Sequence, residues 1–212
     1  MIRLPRLPGG VIKTVGQGGE GVAQICNLLY RRIGFCGPSD KHDRLRITRK
    51  HLPMLIYIRG RNTKDLDLLM SVEAMRQLPE LEISEQSERF VRGRFRSVQV
   101  DLLLTSHPLF KIVSQRFATE HRFAELKIPT ATVEGLIVLK LYALPSLYRQ
   151  MDMDKVALYE NDITMLLARH WPELAPLLEL VEQHLGPGDI SELRIIAGEC
   201  AERAKRLRQR IA

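Results

Sequence analysis

Two hydrophobic periods divide the chain. Between about residues 51 and 130, short alternating runs of apolar and polar positions mix with short helical ones; from Thr132 onward apolar positions recur every three to four residues, the pattern of helices. Asp65-Leu66-Asp67-Leu68-Leu69 alternates acid and aliphatic and predicts a strand. Arg96–Thr105 predicts a clearer one, with Val98, Val100, Leu102 and Leu104 on one face and Gln99, Asp101 and Leu103 on the other. Phe123–Ile128 alternates again and is expected to stop at Pro129. Met54–Ile58 is a short apolar run that fits strand or helix, and Gly60-Arg61-Asn62 reads as a turn. Ser71 can cap a short helix through Leu78, and Pro108–Phe117 predicts another. Further helices are expected at Val133–Ala143, Asp152–Arg169, Leu174–His184 and Ile190–Arg210, the last opened by Asp189 and Glu192 at capping-box spacing. The expected fold is α/β: a small mixed twisted sheet closed on one side by a C-terminal helical bundle.

Charge changes this picture at the N-terminus. The net charge of +7 resides in residues 1–50, where ten lysines and arginines meet only Glu20, Asp40 and Asp43; the remainder balances. The same segment holds eight of the 14 glycines. The chain therefore reads as a basic, Gly-rich segment over 1–50, an α/β core over 51–130 and a helical region over 131–212. One helix is expected in the first segment, at Val22–Ile33. A basic arm of this kind suits nucleic acid, or is a loosely packed extension. Arg203, Lys205, Arg206, Arg208 and Arg210 complement the dipole at a helix C-terminus. Cys26, Cys36 and Cys200 are too scattered for a disulfide framework or a zinc site. Apolar runs are too short to span a bilayer, and Arg3, Arg6 and Lys13 interrupt any secretory signal. A cytoplasmic protein without membrane contact is expected.

Four features carry candidate chemistry. Asp65 and Asp67, two apart on a strand, point to one face; a divalent cation between them would relieve their repulsion, or they charge an exposed edge strand against aggregation. Asp101 is the only acid in a strand otherwise built for burial; beside Asp65 and Asp67 it would complete a three-carboxylate cluster suited to two metal ions flanking a phosphoryl group. Lys140 lies in Leu136–Leu144, a segment apolar almost all round, where an ammonium needs an acid or an anionic ligand unless it snorkels to solvent. Asp162 falls near the packed side of its helix, close to Tyr159, Ile163 and Leu166.

Taken in order, Thr63-Lys64-Asp65-Leu66-Asp67-Leu68, Val98-Gln99-Val100-Asp101-Leu102-Leu103, Glu134-Gly135-Leu136-Ile137-Val138-Leu139-Lys140-Leu141 and Asp162-Ile163 resemble a nucleotidyltransferase of the DNA polymerase β superfamily. The subgroup they resemble most is the abortive-infection type, which includes toxins of type IV toxin–antitoxin pairs. The resemblance runs from about Gly60 to Arg169. It implies Mg²⁺ (or Mn²⁺) held by Asp65, Asp67 and Asp101, nucleotide phosphates met by Lys140, and Asp162 as a further acid of the active site. It also implies transfer of a nucleoside monophosphate from an NTP to an acceptor hydroxyl, with tRNA, another RNA or a protein as acceptor, and an antitoxin protein as partner. The family places Gly-Ser or Gly-Gly about 9–13 residues before the first acid, at a helix N-terminus that binds triphosphate. Here residues 52–56 read Leu-Pro-Met-Leu-Ile, and Gly9-Gly10 and Gly18-Gly19 lie far earlier. The alternative is thus a degenerate, non-catalytic member that binds nucleotide or nucleic acid. A glycosyltransferase with an Asp-x-Asp motif would need roughly a hundred residues of nucleotide-binding structure before the motif, and only 64 residues precede Asp65.

Overall fold

The computed structural model describes residues 65–211 apart from 77, 96–97 and 124–125. The expected elements at Val22–Ile33 and Met54–Ile58 and the turn at Gly60 lie outside the described residues. Strand β1 (Asp65–Met70) leads into the short helix α1 (Val72–Arg76) and then into β2 (Leu81–Gln86), β3 (Phe90–Phe95) and β4 (Val98–Leu104). The four strands form one mixed sheet in the order β1-β4-β3-β2, with β1 and β4 parallel and the other neighbours antiparallel. Ser71 caps α1 through its Oγ, which accepts from the Ala74 amide at 3.2 Å.

Each face of this sheet has its own core. Leu102, Val100 and Leu104 of β4 pack with Met70, Val91 and Phe95 against Ala74 and Met75 of α1. Leu69 and Leu103 point the other way and pack against the helical core. The alternation read in β4 therefore separates two cores. Strands β2 and β3 have no counterpart among the expected elements. β2 is an exposed edge strand of polar sequence, so its pattern carries no apolar face to recognise. β3 does alternate, burying Val91, Gly93 and Phe95. Gly93 is required there, since a Cβ would sit 2.7 Å from the Glu82 carbonyl oxygen.

Helix α2 (Pro108–Arg116) follows β4, and a separate hairpin of β5 (Ala118–Phe123) and β6 (Leu126–Ala131) precedes the bundle. Pro129 does not end a strand as expected: it lies inside β6, opposite Glu120. A two-stranded ribbon consists of edges, so a proline whose missing N–H faces away from its partner costs no ladder bond. The bundle comprises α3 (Val133–Arg149), α4 (Met153–His170), α5 (Leu174–Glu182) and α6 (Pro187–Ile211). Thr132 caps α3, accepting from the Gly135 amide at 3.3 Å, and Asp152 caps α4, accepting from the Lys155 amide at 3.3 Å.

Helix α3 extends six residues beyond its expected end, through Pro145. A proline inside a helix removes one hydrogen bond and costs about 3 kcal/mol. Full burial of each Leu, Ile or Val returns roughly 1.5–3 kcal/mol, and Ile137, Val138, Leu141 and Leu144 are all completely buried. α6 also starts earlier than expected, at Pro187, so Asp189 lies in its first turn and ion-pairs with Arg149 of α3 instead of capping the helix. Leu193, Ala197, Cys200 and Ala204 form its buried stripe. Among the described residues no helix is long and apolar enough to cross a membrane.

Candidate active site

One row of side chains crosses the four-stranded sheet. Asp67 of β1 stands opposite Asp101 of β4, Asp101 opposite Arg92 of β3, and Arg92 opposite Glu85 of β2. Residues paired in register across neighbouring strands share a face, about 4.8 Å apart. The row therefore reads acid, acid, arginine, acid. It lies on the face that also carries Leu69 and Leu103, the face turned toward the helices. Asp65 is paired in register with Gln99, two residues before Asp67 on β1; its side chain lies outside the described residues. Asp67 is exposed, while Asp101 keeps only 16% of its side chain accessible.

Arg92 holds Asp101 from the far side. Its Nε donates to Oδ1 at 3.0 Å and its Nη2 to Oδ2 at 3.2 Å, a bidentate fork. Nη1 donates to Glu85 Oε2 at 3.3 Å, and the guanidinium stacks 5.1 Å from the Phe90 ring. The repulsion expected between neighbouring carboxylates is thus countered by a protein cation. Near this group, Asp152 is held below the ordinary carboxylate range, first by the hydrogen bond from the Lys155 side chain and, as a smaller cause, by the charge of Arg92.

Lys140 and Asp162 form a second set. Lys140 Nζ lies 3.0 Å from Asp162 Oδ2 and 4.1 Å from the Tyr159 ring centroid. Asp162 is completely buried and Lys140 is 12% accessible. The partner demanded by an ammonium in an apolar helix is therefore an acid of the next helix. The pair joins α3 to α4. Both residues belong to the set picked from the sequence, and their mutual pairing follows from the crossing of the two helices.

Asp67 and Asp101, paired in register, carry the hard oxygen donors that Mg²⁺ or Mn²⁺ takes. Among the described residues no group of three or more His, Cys, Asp or Glu side chains converges as a metal centre. Asp67 and Asp101 are the described acid pair. Two carboxylates are the oxygen donors a divalent ion takes, and Arg92 already occupies both oxygens of one of them.

The sequence reading missed Arg92 and Glu85, because β2 and β3 went unrecognised. The alternation in Phe90-Val91-Arg92-Gly93-Arg94-Phe95 was the signal for Arg92. It also missed a cluster built on His107. Arg89 Nη1 donates to the Tyr142 hydroxyl at 3.2 Å, and that hydroxyl lies 3.1 Å from His107 Nε2. The His107 and His184 rings are 5.7 Å apart, and His107 Nδ1 and His184 Nε2 are buried without a hydrogen-bond partner. Burial lowers the pKa of both imidazoles from 6.5, and for His107 the charges of Arg89 and His184 act in the same direction.

Compared with known proteins, the chain matches no protein-family model and no curated protein.

Proposed function

We propose that this protein is a metal-dependent nucleotidyltransferase of the DNA polymerase β type, transferring a nucleoside monophosphate from an NTP to an acceptor hydroxyl. The observation that carries the reading is the register of β1 and β4, which sets Asp67 directly opposite Asp101 on one sheet face. Asp65, Asp67 and Asp101 would hold Mg²⁺ or Mn²⁺, which when bound supplies charge stabilisation for the phosphoryl oxygens. Asp101, the more enclosed acid, accepts the proton of the acceptor hydroxyl. The new bond joins that oxygen to the α-phosphorus, the bond from the α-phosphorus to the bridging oxygen breaks, and pyrophosphate leaves. Lys140 neutralises phosphate charge: an ammonium has three donors, and its pairing with Asp162 uses one. Asp162 orients Lys140 through their 3.0 Å ion pair. The acceptor class we favour is RNA, tRNA included, with a protein hydroxyl as the alternative. Such an activity suits a toxin held in check by an antitoxin protein in the cytoplasm.

Arg92 favours one second reading. Its fork on Asp101, together with the missing glycine motif, is what a non-catalytic descendant would show, with an arginine standing in for the metal. The test is transfer of α-³²P-labelled NMP from each of the four NTPs to total tRNA, in Mg²⁺ and in Mn²⁺. Label in the wild type that is lost in Asp67→Asn supports the transferase. Calorimetric NTP binding without any transfer supports the binding module. Neither binding nor transfer overturns both.

A further inference from the structure

We infer that Arg92 is a built-in competitor for the metal site, an internal cation that a divalent ion must displace from Asp101 before the site is loaded. The inference rests on the metal-binding reading above and adds the regulation of that site. Three observations carry it. Both Asp101 oxygens already accept from Arg92, at 3.0 and 3.2 Å, in the geometry that gives arginine its strongest hold on a carboxylate. The contact is partly enclosed, with 16% of the Asp101 side chain and 33% of the Arg92 side chain accessible, so water screens it only in part. Register also fixes the arrangement, since Arg92 and Asp101 are direct partners across β3 and β4.

A guanidinium and a divalent ion on one carboxylate stand a few ångströms apart and repel strongly. The two occupancies therefore oppose each other, and each weakens the other by the same factor. Arg92 has somewhere to go. Glu85 already takes its Nη1 on Oε2 at 3.3 Å, and the Glu85 side chain is 62% accessible. Asp152, at the start of α4, lies within the reach of its charge. A rotation of the guanidinium toward Glu85 would free Asp101 while keeping Arg92 paired. The site is thus closed at rest, and it opens only when metal binding, aided by an incoming triphosphate, outweighs the fork.

The test is Mn²⁺ binding to the full chain without nucleotide, read from the electron paramagnetic resonance signal of free Mn²⁺. The proteins compared are the wild type, Arg92→Gln, Arg92→Lys, Asp101→Asn and Arg92→Gln/Asp101→Asn, each checked for folding by circular dichroism. Removing a charged bidentate contact should tighten Mn²⁺ binding by about tenfold or more in Arg92→Gln. Arg92→Lys, which keeps the charge and loses the fork, should fall between it and the wild type. The gain should vanish in Arg92→Gln/Asp101→Asn. Measurable wild-type binding that Arg92→Gln leaves unchanged or weakens would overturn the gate and leave the metal site standing. If Arg92→Gln fails to fold, Arg92→Lys decides, and wild-type affinity in that variant would overturn the inference. No Mn²⁺ binding in any folded variant would remove the metal site itself, and the gate with it.

Discussion

At the scale of single residues, Lys140 and Asp162 show how far a chemical requirement can be read locally. An ammonium in Leu136–Leu144 called for an acid, an anion or an escape to solvent, and Asp162 fell near the packed side of its helix or on its surface. That the two satisfy each other at 3.0 Å follows only from the crossing of α3 and α4. Removing one member of a buried ion pair leaves an uncompensated charge and costs about 3–5 kcal/mol, whereas replacing both with apolar groups is often neutral. Lys140→Met should therefore lower the urea-unfolding free energy by about 3–5 kcal/mol, and Lys140→Met/Asp162→Leu should recover most of that loss. A Lys140→Met variant as stable as wild type would show that Asp162 does not depend on this lysine. Calorimetry on the stable double variant would then report on NTP binding without the complication of unfolding.

At the scale of elements, the structure departs from local expectation where tertiary packing outweighs a local signal. Pro145 should end α3, yet the helix runs on to Arg149 because its apolar side is wrapped by α4, α5 and α6. Pro129 should end a strand, yet it sits within β6 of a ribbon that has only edges. The start of α3 follows local rules: Thr132 accepts from the Gly135 amide, and a Cβ on Gly135 would sit 2.9 Å from the Phe117 Cβ. Thr132→Ala should cost about 1 kcal/mol of stability, and Thr132→Ser should restore it, because only the cap oxygen is at issue. Chemical denaturation of the two variants side by side would decide it. Equal losses would place the contribution in the methyl group, not in the cap.

At the scale of the whole molecule, the cluster around His107 ties the sheet to the bundle. His107 precedes α2, Tyr142 lies on α3, His184 follows α5, and Arg89 precedes β3. Both imidazoles are driven toward the neutral form, first by burial, from an ordinary value of 6.5. A base whose folded pKa lies below its unfolded value binds its proton first in the unfolded chain. The stability it supports is complete above pH 6.5 and is lost as the pH falls through the lower folded values. Urea midpoints should thus hold steady in mildly basic buffer and decline below pH 6.5, and His107→Gln/His184→Gln should flatten that decline. An equally steep decline in the double variant would assign the acid sensitivity to other groups.

The sequence by itself determined what depends on near neighbours. Alternation in Val98–Leu104 set Asp101 on the face opposite the valines, the period after Thr132 announced the bundle, and Ser71 marked the start of α1. Only the tertiary structure decided which residues meet. The pairing of β1 with β4, the presence of β3 beside β4, and therefore the row Asp67–Asp101–Arg92–Glu85, all depend on strand register between distant segments. The physical reason is that side-chain periodicity fixes the face a residue occupies, while the partner across that face is chosen by the packing of the whole sheet against its two cores.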